Sequence, residues 1–247
     1  MKKIILISFI MNAIMNAAGT WMWNNRTHGE LKWTTIETEH FNIHYHQNLD
    51  KIAIQGASIA EQIRPTLMKQ MGLESLPTLD IIFTAEDEVL NGFAVPANYT
   101  IIWVDQNDAA LWTGDEKWLR TVLAHELQHL VYFNTVKGPW WLPEPMNSLV
   151  HGTPAWIVEG IAEYFTEEWR PFRYELSHRY HVLRNTVHKI QDPHNDGYSK
   201  SLYLADRFGD STISKILNHR NKFKFLDFKK SFKKHTGITL KQFNEDW

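Results

Sequence analysis

The sequence predicts an α+β fold in one domain, with strands in the first part of the chain and helices after it. Two observations carry this. Runs with strand patterning, "HFNIHYH", "TLDIIF" and "YTIIWVD", all fall in the first half, whereas the second half shows apolar residues at helical spacing. A chain of 247 residues with 43% hydrophobic and 22% charged residues is long and apolar enough for a full core. No repeat or low-complexity tract appears. The net charge of -2 gives no electrostatic reason to expect a nucleic-acid partner.

Lys2 and Lys3 precede an apolar run, Ile4 to Met15, that ends at the small residues Ala17, Ala18 and Gly19. This is the layout of a secretory signal peptide, residues 1–19, and it implies export to the periplasm or the medium. A run of about a dozen apolar residues is short for a bilayer, so no stable span is expected after cleavage; a buried N-terminal helix is the other reading. The chain has no cysteine, so any metal ligands must come from His, Asp or Glu.

Residues 20–29 read as a loose N-terminus, and the folded domain is expected over 30–247. In "HFNIHYH" Phe41, Ile43 and Tyr45 share one strand face and His40, His44 and His46 the other, which reads as a solvated face rather than a metal site. Leu49 to Met71 has helical spacing around Pro65 and stops at Gly72. Thr78–Phe83 and Tyr99–Asp105 are strands, with Asn91, Gly92 and Pro96 marking a turn-rich stretch between them.

A long helix follows the acidic pair Asp115 and Glu116, with Trp118, Leu119, Val122, Leu123, Leu127, Leu130 and Val131 on its apolar stripe. Pro139, Pro143, Pro145 and Pro154 keep the next stretch extended until a helix begins near Trp156. Beyond Trp169 the pattern is helical, punctuated by Gly197, Gly209 and Gly237. The basic stretch from His219 to Lys234, interleaved with phenylalanines, reads as an amphipathic helix with a solvated lysine face; a membrane-surface or partner site is the alternative.

Chemistry enters at "HELQH", His125 to His129, inside the long helix. Histidines four apart on a helix converge on one cation, and the glutamate after the first can take a proton from a water activated there. In an apolar helix, unpaired polar groups at those positions would be costly to bury. Zinc, Zn²⁺, needs a third protein ligand and an open fourth position. "PAWIVEGIAEYF" offers two carboxylates, Glu159 and Glu163, one helical turn apart.

The two stretches together resemble the gluzincin metallopeptidases, and "WIVEGIAEY" is similar to the W-x-x-E-G-x-A-x-Y pattern of M1-type aminopeptidases and bacterial peptidase-MA-like proteins. The order of "TEHFNIHYH", "NGFAVPANYTIIWVD", "WLRTVLAHELQHL" and "YSKSLYLADRFGD" follows the peptidase-MA-like pattern along nearly the whole mature chain. The resemblance implies a thermolysin-like zincin domain, with an N-terminal mixed β-sheet, an active-site helix and a mainly helical remainder. It implies His125, His129 and Glu159 as ligands of Zn²⁺, Glu126 as general base, and a peptide or protein substrate. Glu163 then supports a ligand histidine, or alternatively forms an ion pair with a lysine or arginine.

Gluzincins donate to the oxyanion from a tyrosine or histidine in the C-terminal part. Tyr198 matches best here, with Tyr203 and His194 as competitors. The resemblance also makes Ile101–Val104 an edge strand along which a peptide lies, a core strand being the alternative. Two features depart from the M1 pattern: the gap from His129 to Glu159 is longer, and the G-x-M-E-N element is absent. A general peptidase is therefore expected rather than an aminopeptidase. The rival reading is a non-catalytic zincin-fold binding or scaffold protein of the cell envelope; the oligomeric state is left open.

Overall fold

A computed structural model of the chain describes residues 28–86, 92–104, 115–136, 138, 152–166, 175–190 and 192–247. The expected signal peptide, Asn91 and the prolines Pro139, Pro143 and Pro145 lie outside these residues. Five strands are described, β1 (Trp33–Glu37), β2 (Phe41–His46), β3 (Leu79–Thr84), β4 (Gly92–Val95) and β5 (Tyr99–Trp103). The helices are α1 (Asp50–Met71), α2 (Asp115–Thr135), α3 (Ala155–Thr166), α4 (Glu175–Leu183), α5 (Pro193–Phe208), α6 (Thr212–Asn218), α7 (Phe228–Thr236) and α8 (Leu240–Asp246). The order is α+β, as the sequence predicts.

The strands form one mixed sheet in the order β1-β2-β3-β5-β4. β2, β3 and β5 run parallel, while β1 and β4 pair antiparallel at the two edges. The parallel connections are made by α1 and by the chain through β4, and α1 and α2 pack together against the sheet. Ile43, Ile81, Phe83 and Ile102 meet Ala53, Ala57, Ile63, Leu123 and Leu127 in the core. α1 ends where Gly72 takes the left-handed conformation, φ +67, and its N–H closes on the last-turn carbonyls.

The structure changes four expectations. Gly92–Val95, read as turn, is an edge strand; four residues bounded by Gly92 and Pro96 carry too little pattern to show it. β5, with Ile101 to Trp103, lies between β3 and β4, so the core-strand alternative holds for it, and among the described strands β4 stands at that edge of the sheet. Gly197 does not punctuate; it lies inside α5, whereas Gly209 and Gly237 do follow helix ends. His46 is 4% exposed rather than solvated, because its Nε2 accepts the Ala85 N–H at 3.0 Å beneath the Trp33 ring. His40 bonds Glu61 at 2.8 Å, and His44 lies 3.2 Å from Asp80, so those two keep polar partners at the surface.

Beyond the sheet, α3 packs against both α2 and α5, and α5 against α6. Trp156 stacks on Phe243, and Phe232 meets Phe243 edge to face, in one aromatic cluster that ties α3 to α7 and α8. Among the described residues no helix is long and apolar enough to cross a membrane.

Candidate metal centre

α2 offers His125 and His129 from one face, and α3, lying against it, brings Glu159 between them. The three ligand atoms form a near-equilateral triangle. His125 Nε2 is 3.1 Å from His129 Nε2, and Glu159 Oε2 is 3.6 Å from the first and 3.4 Å from the second. Ligands about 2.05 Å from a tetrahedral zinc stand about 3.3 Å apart, so the triangle fits the ion. Both histidines are buried, while the Glu159 side chain is 29% exposed, which leaves the open side next to the carboxylate.

A second grouping, His125, Glu159 and His194, also lies within 4.8 Å. It shares two members with the first. We favour the set with His129 because all three of its spacings match tetrahedral coordination and both its imidazoles are buried. His194 stands at the mouth, its side chain 41% exposed and its Nδ1 3.5 Å from Glu159 Oε2.

The charges agree with a cation site. Burial would raise the Glu159 carboxyl, yet the bonds from His125 and His129 hold it far below the usual carboxylate range. Burial would lower His129, but the bond to Glu159 and the charges of Glu126, Glu159 and Glu163 raise it. Glu126, Glu159 and Glu163 thus surround His125, His129 and His194 with negative charge, a setting that suits a cation.

Glu163 is fully buried one turn after Glu159 and faces two imidazoles. Its Oε1 accepts from His194 Nδ1 at 2.8 Å and lies 3.4 Å from His125 Nδ1. This is where a carboxylate would stand to orient a ligand histidine. The bond to Glu163 comes first in raising His194, against the opposing effect of burial. The histidine sits in the first turn of α5, where Asp192 caps the helix and Pro193 opens it.

Two glycines explain how α5 comes so close. A Cβ on Gly160 would overlap the Gly197 carbonyl, and one on Gly197 would stand 2.6 Å from Gly160 Cα and 2.5 Å from the Trp156 carbonyl oxygen. α3 and α5 therefore cross backbone against backbone at this pair, one residue after Glu159 and three after His194. The sequence showed Gly160 beside Glu159, but nothing local linked it to Gly197, 37 residues on.

Glu126 is 6% exposed and packs under the edge strand β4. A Cβ at Gly92 would lie 2.6 Å from Glu126 Cγ and 2.8 Å from its Oε1. With glycine there the strand passes over the carboxylate without displacing it. Tyr198 is 5% exposed, its ring beside those of Tyr164 and His178, at centroid distances of 6.5 and 6.1 Å. Tyr203 accepts from Arg207 at 2.7 Å and packs on Phe243.

No family model and no curated protein matches this chain. Among solved structures it is similar to an aminopeptidase N family protein from Idiomarina loihiensis, with a TM-score of 0.50 and 12% identity over 88% of this chain. The chain spans 46% of that protein's length. At that identity the likeness is one of fold alone.

Proposed function

We propose that the chain is a zinc-dependent peptidase of the thermolysin-like gluzincin kind, acting on peptide or protein substrates. The observation that carries this is the ligand triangle of His125, His129 and Glu159 with the Glu126 carboxylate on the same helix. The fold likeness to an aminopeptidase N family protein supports it. Bound in the triangle, Zn²⁺ would supply a Lewis acid and lower the pKa of a water molecule.

The chain's own residues have separable tasks in this reading. Glu126 takes the proton from the water and passes it to the leaving amine. Glu163 fixes the orientation of His125 and holds His194 by its Nδ1. His194 would donate to the oxyanion from Nε2 in its doubly protonated form, which the Nδ1 bond to Glu163 favours; Tyr198, one turn on, is the other proposed donor. A peptide pairs with the outer edge of β4, which runs over Glu126. Export through residues 1–19 would place the enzyme outside the cytoplasm.

Glu126→Gln tests the reading. The variant should keep its metal and lose cleavage of casein and of a peptide library by about 10²–10⁴-fold. Cleavage at the wild-type rate would remove Glu126 from the mechanism.

A further inference from the structure

From Lys215 to Asn244 the chain carries nine lysines and arginines and a single acidic residue, Asp227, although the whole protein has a net charge of -2. α7 buries Phe228, Phe232 and Thr236 and turns Lys229, Lys230, Lys233 and Lys234 to solvent. Lys230 pairs with Asp227 at 3.0 Å and Lys229 also acts on that carboxylate; among the described residues Lys222, Lys224, Lys233 and Lys234 have no acidic partner. The local field is felt nearby. His219 and His235, with rings 5.3 Å apart, are both lowered by burial first and then by cations that include Lys234, Arg220 and Lys215.

Just before α7 the chain makes a tight, internally bonded turn. Asn221 Oδ1 accepts the N–H groups of Phe223 at 2.8 Å and Phe225 at 3.3 Å, and the Asn221 N–H donates to the Phe225 carbonyl at 2.9 Å. Lys224 closes the turn in the left-handed region, φ +62, where glycine would be easier. At the tip stands Phe223, 65% exposed, between Lys222 and Lys224. Its ring stacks with Phe225 and lies 4.9 Å from Lys222 Nζ. An apolar ring held outward by a rigid turn, flanked by unpaired lysines, combines the two interactions that hold proteins at lipid interfaces.

We infer that the Asn221–Lys224 turn and the lysine face of α7 dock on an anionic lipid surface, with Phe223 entering the headgroup region. Lysines alone would suit nucleic acid equally. The ring, however, is already engaged by Phe225 and Lys222, which leaves less free face for a stacked base, and its exposed part suits shallow insertion. This inference does not rest on the peptidase reading; loss of cleavage in Glu126→Gln leaves it untouched.

The test is co-sedimentation of the full chain with phosphatidylcholine vesicles, with and without about 30% phosphatidylglycerol. The apolar segment Ile4–Met15 is common to every variant and contributes to both vesicle types, so the readout is the preference for anionic over neutral vesicles. Wild type should prefer anionic vesicles by about 10-fold or more, less at high salt. Lys222→Glu/Lys224→Glu should abolish the preference, and Phe223→Ser should weaken anionic binding several-fold at unchanged Tm. The charge-matched control Lys51→Glu/Lys117→Glu should keep both. An undiminished preference in the turn variants, an equal loss in the control, or tighter binding to a single-stranded oligonucleotide than to anionic vesicles would overturn the proposal.

Discussion

The site has two walls, a strand edge on one side and a pair of crossing helices on the other, and each is brought close by glycine for a different reason. At Gly92 the atoms that a side chain would strike are the end of Glu126, a flexible side chain. At Gly160 and Gly197 they are backbone atoms of the opposite helix. The strand wall therefore protects the placement of one carboxylate, whereas the helix wall protects the approach of two whole elements. Substitutions should separate the two: the first wall should fail in rate, the second in stability and metal retention.

Gly160→Ala should have the largest effect. Relief requires moving a helix, so a loss of about 3 kcal/mol or more in urea unfolding is expected, with zinc retention falling as Glu159 and His194 shift. Unchanged stability would mean that the helices cross less tightly than described. Gly92→Ala comes next. Pushing aside the end of Glu126 costs little stability, under about 1 kcal/mol, but misplaces the proposed base and should lower kcat about 10²-fold with metal intact. A sharper form reads stability instead and adds Glu126→Ala, which removes Cγ, Cδ and Oε1, the atoms the new methyl would strike. In that background Gly92→Ala should cost much less, and strict additivity would argue against direct contact.

Glu163→Gln removes the buried acceptor beside His125 and His194. Metal affinity by chelator competition should fall about 10–100-fold, with the fold retained. The smallest effect is expected at Glu61, away from the site. Partial burial would raise its carboxyl, but the bonds from Thr38 and His40 hold it below its ordinary value. A depressed folded pKa adds stability above the unfolded value, and that share is lost as pH falls through the folded one. Glu61→Gln should thus be less stable than wild type at pH 7, by less than about 1 kcal/mol, and the gap should narrow on acidification toward about pH 3. A gap that widens on acidification would reverse the sign.

How much of this was legible in the sequence follows from the range over which each pattern acts. The period of α2 and the alternation of β2 are local, and both were readable from Trp118 to Val131 and from Phe41 to Tyr45. His125, Glu126 and His129 belong to one helix, so their spacing was readable too. Glu159 and Glu163 could be placed one turn apart, but which imidazoles each one faces is set by α2 and α5, which are distant in sequence. His194 was visible only as a competitor for the oxyanion. Its contact with Glu163 depends on the Gly160–Gly197 crossing, and no spacing rule encodes a contact between two separated glycines. β4 was missed because four residues between Gly92 and Pro96 show turn chemistry before strand pattern.

The central claim, that His125, His129 and Glu159 hold one divalent ion while Glu163 only supports them, is tested by metal analysis of three purified proteins. Wild type should carry one equivalent of zinc, Glu159→Ala should carry almost none, and Glu163→Ala should retain it at the start of a chelator titration and lose it early. Zinc kept by Glu159→Ala and lost outright by Glu163→Ala would assign the two glutamates the other way round, and no zinc in any of the three would contradict the metal centre itself.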